Sequence, residues 1–135
     1  MHSKTRNEVL LICMVLLVIL SMCSCKPGPS ELFGTYIADY DVAKEKLTLY
    51  HDGTFRQEVT LKATSEVTVS KGTWTYDPKS GYVSFNENFM VVLNGFGKFD
   101  PNYAHPEPGV SYPVDKYFGC ISLGVAEGIL YKKVD

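Results

Sequence analysis

Cys23 and Cys25, separated by one serine in the stretch VILSMCSC, are the pair whose type and spacing first suggest chemistry. They could be half of a disulfide, two ligands of a metal, or a point of covalent modification. Other reactive side chains are scattered: His51 beside Asp52, His105 in a Gly/Pro-rich stretch, and Cys120 in the apolar run YFGCISL. His51, His105 and Cys120 lack ligand-like spacing, and structural zinc needs four ligands and catalytic zinc three, so no metal site is expected. Asp39 and Asp41 flank Tyr40 as solvated turn carboxylates would, and turn chemistry alone explains Asp52. No glycine-rich stretch follows a strand and opens a helix, so a nucleotide fingerprint is absent and no cofactor is expected. With no nucleophile beside a base and no paired acids, the expectation is a protein that is not an enzyme.

The elements around the cysteine pair decide among its three readings. The chain opens with MHSKTRNE, where Lys4 and Arg6 stand against one acid, Glu8, and continues in an unbroken apolar run from Val9 to Leu20. As a helix that run reaches about 18 Å, short of a hydrocarbon core of about 30 Å. A basic start, an apolar stretch of this length and small residues at its end make a secretory signal. A cysteine at that end resembles the lipobox of bacterial lipoproteins, in which cleavage precedes a cysteine carrying diacylglycerol. Cys25 has small Ser24 before it and is favoured; Cys23, with Leu20 three places earlier but bulky Met22 before it, is the alternative.

The resemblance implies a membrane anchor through an N-terminal lipid, labelled by palmitate, in a bacterial cell envelope. Lysine or serine after the modified cysteine, rather than aspartate, resembles lipoproteins placed in the outer membrane and facing the periplasm. The expected organisation is residues 1–24 as a removed signal, 25–31 as lipidated cysteine and spacer, and 32–135 as one β-rich domain. If Cys23 carries the lipid, a bridge between Cys25 and Cys120 becomes possible; otherwise Cys120 stands alone, and a buried thiol is expected.

Every Phe, Tyr and Trp follows Cys25, so the folded part is aromatic-rich, and the formal charge of −2 offers no basic field for nucleic acid. From Leu32 the text alternates. In TFRQEVTLKA the apolar Phe55, Val59 and Leu61 share one parity, with Arg56, Glu58, Thr60 and Lys62 on the other, as in a half-buried strand. Asp52-Gly53 supplies a hairpin turn, giving strand, turn and strand from about Lys46 to Ala63. EVTV, TWTY, YVSF, NFMVVL, KYFGCISL and GILYKKV read as further strands, with DPKSG as a turn. About eight strands and no ordinary helix predict an all-β domain: an antiparallel up-and-down barrel, or a compact β-sandwich. FGTYIADY, LTLYHDGTF and KGTWTY resemble lipocalin-like bacterial lipoproteins over roughly residues 33–85. Copper-response relatives with a similar hairpin carry a Cys-x-x-Cys pair within the domain, which this chain lacks, so no metal or redox role carries over.

The stretch between Gly95 and Pro113 is long for a loop and rich in aromatics, which points to a lid or binding surface, or to a loop packed over a barrel end. Phe96, Phe99, Tyr103, His105 and Tyr112 are its candidate ligand or partner contacts; Trp74 is a further candidate, though a core role at a barrel floor accounts for it as well. The function expected is a non-catalytic binding module for a small hydrophobic ligand, peptide or protein partner, barrel mouths being common ligand sites. The alternative is an immunity-type lipoprotein that neutralises a toxin or enzyme in the periplasm, and a minority alternative is an enzyme of unknown type.

Overall fold

From Gly34 onward one side chain in two turns inward, and the strands close on themselves. They are β1 (Gly34–Asp39), β2 (Ala43–Leu49), β3 (Thr54–Leu61), β4 (Val67–Asp77), β5 (Tyr82–Asn86), β6 (Val110–Tyr117), β7 (Cys120–Gly124) and β8 (Leu130–Lys133). Each pairs antiparallel with the next, and β8 returns to β1 through Tyr36 opposite Lys133 and Ile37 opposite Lys132. The result is a closed eight-stranded up-and-down barrel, which leaves no strand edge unpaired; the sandwich alternative is excluded. The computed structural model describes residues 2–21, 26–105, 109–125 and 128–135. Cys23 and Cys25, and with them any bridge from Cys25 to Cys120, lie outside the described residues.

A helix α1 (His2–Ser21) precedes the barrel, and its apolar side chains from Val9 to Ile19 are exposed. Among the described residues no helix is long and apolar enough to cross a membrane. Residues 26–33 then close one end of the barrel, here termed proximal. Pro29–Glu31 form a 3-10 turn, capped where the Gly28 N–H donates to Glu31 Oε2 at 2.7 Å. Leu32 is fully buried and Tyr36 Oη donates to its carbonyl at 2.7 Å. The Phe33 ring meets Trp74 edge-on at 5.9 Å, and Trp74 Nε1 donates to Tyr50 O, so Trp74 is a floor residue of the proximal end.

Two turns lie where the sequence puts them. The Asp52-Gly53 turn joins β2 to β3, Asp52 Oδ1 accepting from the Thr54 N–H at 2.9 Å, and DPKSG joins β4 to β5, Asp77 Oδ1 accepting from Lys79. Three stretches fold otherwise. EVTV and TWTY are parts of one continuous strand, β4. KYFGCISL is two strands with a turn at Phe118-Gly119, which places Cys120 on the outward parity of β7; the thiol is exposed, not buried, and has no disulfide partner among the described residues. NFMVVL is not a barrel strand. After β5 the chain passes through Glu87 (φ 61°) and Asn88 (φ 56°) and turns over the distal end, burying Phe89, Met90 and Val92.

Gly72 on β4 makes that passage possible. A Cβ there would stand 2.6 Å from Glu87 O and 2.8 Å from Asn86 O, too close for any side chain. Its inward neighbours Ser70 and Thr68 are small. Ser70 Oγ donates to Asn88 O, Asn88 Nδ2 to Lys71 O at 3.2 Å, and Thr68 Oγ1 shares a 3.1 Å hydrogen bond with Tyr103 Oη. The 87–105 segment is thus stitched to β4 as a cover over the distal mouth.

Candidate functional site

Beneath that cover lie the two buried polar side chains found among the described core residues, Glu45 on β2 and Gln57 on β3. Both stand on the inward parity, Glu45 between Ala43 and Leu47, Gln57 between Phe55 and Val59, so the strand period carries them into the barrel. Gln57 clasps the cover: its Oε1 accepts from the Met90 N–H at 2.8 Å and its Nε2 donates to Met90 O at 3.0 Å. The same Nε2 lies 3.4 Å from Glu45 Oε1 and from Tyr131 Oη, and Tyr131 Oη donates to Glu45 Oε2 at 2.5 Å. Tyr40 Oη is buried and close enough to stabilise the charged carboxylate, though not in the geometry of a formed hydrogen bond.

A carboxylate taken out of water favours its neutral form. Burial pushes Glu45 up to about 7, against the opposing pull of Tyr131, Gln57 and Tyr40. Burial, and after it the Glu45 charge, raises the Tyr40, Tyr112 and Tyr131 phenols, so the three stay protonated near one carboxyl, with Tyr131 as its hydrogen-bond donor. Aromatic rings surround this polar centre. Phe89, supplied by the cover, stacks on Phe85 at 4.2 Å and meets Phe55, Tyr112 and Tyr131 at 5.6, 5.8 and 6.3 Å.

The six side chains singled out in the sequence do not form one site. Tyr112 is not a loop residue as expected: Val110 to Pro113 already belong to β6, where pairing with β5 sets Tyr112 facing the interior beside Phe89, and Tyr103 is buried in the cover. Phe96 is 89% exposed at the tip of a turn in which Asn94 Oδ1 accepts from the Phe96 and Lys98 N–H groups. Phe99 is exposed with its ring 5.8 Å from Tyr103. His105 lines a cleft of about 390 Å³ on the cover, together with Asn94, Asp100 and Asn102. A smaller cleft of about 280 Å³ follows the seam between Ser70 on β4 and Met90. Trp74 stands at the opposite end. Among the described residues no three His, Cys, Asp or Glu side chains gather as metal ligands.

Glu45 and Gln57 were the residues that sequence reasoning passed over. Their signal was a polar residue on an otherwise apolar parity: Ala43, Glu45, Leu47, Leu49 in one strand and Phe55, Gln57, Val59 in the next. The arrangement can exchange hydrogen bonds with an amide or hydroxyl inside an aromatic enclosure and can hold or release one proton near neutrality.

The architecture is that of a closed eight-stranded up-and-down barrel with its distal mouth covered by its own chain. No protein-family model and no curated protein matches the chain. A solved lipocalin-like protein from Bacteroides uniformis ATCC 8492 is similar over 77% of this chain and 99% of its own, with 18% identity and a TM-score of 0.45. A likeness of that size adds nothing to the topology read from the strand pairing.

Proposed function

We propose that this chain is a lipid-anchored envelope protein, modified on Cys25 with Cys23 as the alternative, whose barrel binds a small hydrophobic ligand or an apolar peptide without catalysis. The observation that carries the binding reading is the Gln57 clasp on Met90 among the rings around Phe89. The interior already holds an extended apolar segment by aromatic contact and one amide pair. A ligand with an apolar body and an amide or hydroxyl group meets the same partners when the cover swings aside. Buried polar groups are costly unless satisfied, so a carboxyl and an amide in this core suit a site that exchanges partners. The anchor reading is supported by α1, whose exposed apolar side chains suit a lipid or translocation environment better than water.

Exposed Phe96 on the outer side of the cover favours a second reading, a protein partner held there in the manner of a periplasmic inhibitor. The test is native extraction of the full chain from a Gram-negative envelope, with mass spectrometry of whatever accompanies it and titration with N-phenyl-1-naphthylamine. A saturable rise in probe emission, larger in Gln57→Leu where the clasp on Met90 is lost, is the expected result. A chain that extracts alone and leaves the probe dark would overturn the carrier reading, and a single co-purifying protein would favour the inhibitor.

A further inference from the structure

The β6–β7 turn has two central residues, Phe118 (φ 48°) and Gly119 (φ 81°), between the paired Tyr117 and Cys120. Both central residues of such a turn need positive φ, which is why Asn-Gly and Asp-Gly dominate it, while a bulky side chain at the first is strained. Phe118 is also 93% exposed and Tyr117 68% exposed. Neither the backbone nor the core asks for a phenyl ring at this tip; strain at a site that packing does not require points to another role.

The tip's position suggests that role. Lys116 Nζ, two residues before Phe118, bridges to Glu31 Oε1 at 2.6 Å, and Lys133 Nζ donates to Glu31 O at 2.8 Å. Lys26 Nζ donates to Lys79 O at 3.0 Å and Tyr76 Oη to Pro27 O at 2.9 Å. The chain leading from Cys25 is therefore docked on the proximal end, the end that carries Tyr117 and Phe118. Adjacent Cα atoms lie about 3.8 Å apart, so a lipid on Cys25, the neighbour of Lys26, is on a leash of one residue; from Cys23 the leash is three residues. Around this end Lys26, Lys79, Lys116 and Lys133 are interspersed with Glu31, Asp52, Asp77, Asp115 and Asp135, so no single sign of charge dominates.

We propose that the proximal end rests on the bilayer, with Tyr117 and Phe118 inserted at the headgroup level, so that the distal mouth faces away from the membrane. The inference rests on the lipid-anchor reading. Tyr favours that level of a membrane through its apolar ring and polar tip, Phe enters at the headgroup/acyl boundary as an apolar side chain, and the balanced charge makes the contact independent of anionic lipid. The lipid supplies attachment; the aromatic tip supplies orientation.

The test uses the full chain, processed in a bacterial envelope and reconstituted into phosphatidylcholine vesicles with brominated acyl chains. Phe118→Trp places an indole at the tip, while native Trp74 is buried and serves as the internal reference. The expected result is bromine quenching of the added emission but not of Trp74, unchanged by salt or by added phosphatidylglycerol. Phe118→Asn should still float with vesicles, should raise Tm by relieving the turn, and should lose the hydrogen-exchange protection that vesicles give residues 115–122. A chain that floats with an unquenched, iodide-accessible tip overturns this inference alone, as does quenching that requires anionic lipid. A wild-type chain that does not float overturns the anchor reading and this inference together.

Discussion

At the scale of single residues, Glu45 makes the sharpest demand on experiment. Its folded-state value of about 7 lies above the ordinary 4.5, so the folded chain holds a proton that the unfolded chain releases. Stability from this group is complete below the unfolded value and is lost as pH rises through the folded one. One pKa unit corresponds to about 1.4 kcal/mol, so the loss across this window is on the order of 3 kcal/mol. Glu45→Gln keeps the shape and removes the titration. Denaturant unfolding of wild type against Glu45→Gln should show a gap that moves in favour of the variant as pH rises from 4.5 to 7; a gap that does not change with pH would refute the buried-carboxyl account. The exposed acids Glu31 and Asp39, held low by Lys116 and Lys62, act in the opposite sense, and both remain in the variant, so the difference isolates Glu45.

Among the elements, the covering segment 87–105 is the one whose folding depends on residues far away in sequence. Gly72→Ala would drive a methyl against the carbonyls of Asn86 and Glu87. Overpacking of this kind costs about 1–3 kcal/mol, and hydrogen exchange should rise over residues 87–92 before it rises in β2 or β3. Phe89→Ala removes the ring that touches Phe55, Phe85, Tyr112 and Tyr131. A core phenyl deletion costs about 3–5 kcal/mol. The vacated space should also strengthen N-phenyl-1-naphthylamine binding if the cover occupies the ligand's place, and weaker binding would argue that the cover is permanent core.

For the whole molecule, the two ends of the barrel are closed differently. The proximal end is sealed by Leu32, Phe33 and Trp74, close to where the proposed tether enters; the distal end is sealed by a segment held through the Gln57 clasp and the contacts to β4. In the proposed orientation the covered distal end faces the aqueous side. Palmitate labelling in a bacterial envelope checks the tether: Cys25→Ser should abolish the label. Label that survives in Cys25→Ser and disappears in Cys23→Ser would move the lipid to Cys23, and label that survives both would end the lipoprotein reading.

The sequence alone was enough for the β class and the Asp52-Gly53 and DPKSG turns, because alternation and turn dipeptides are local properties of the chain; the total of about eight strands agrees as well, with one merged pair, one split run and one misplaced run offsetting each other. It could not separate barrel from sandwich, since closure depends on β8 meeting β1, a pairing between Lys132–Lys133 and Tyr36–Ile37 across nearly the whole domain. It misjudged NFMVVL because a buried apolar run reads the same in a strand and in a segment packed inside a barrel, and only Gly72 opposite Asn86 and Glu87 shows that the chain crosses there. It read through Phe118-Gly119 because that turn lacks the usual residues, and so it buried Cys120. Glu45 and Gln57 were visible as polar residues out of phase with their apolar parity, but whether such residues line a groove, face a partner or close into one hydrogen-bonded cluster is decided by tertiary structure. It brings β2, β3, β8 and the cover together around a single carboxyl, over sequence separations that no local pattern spans.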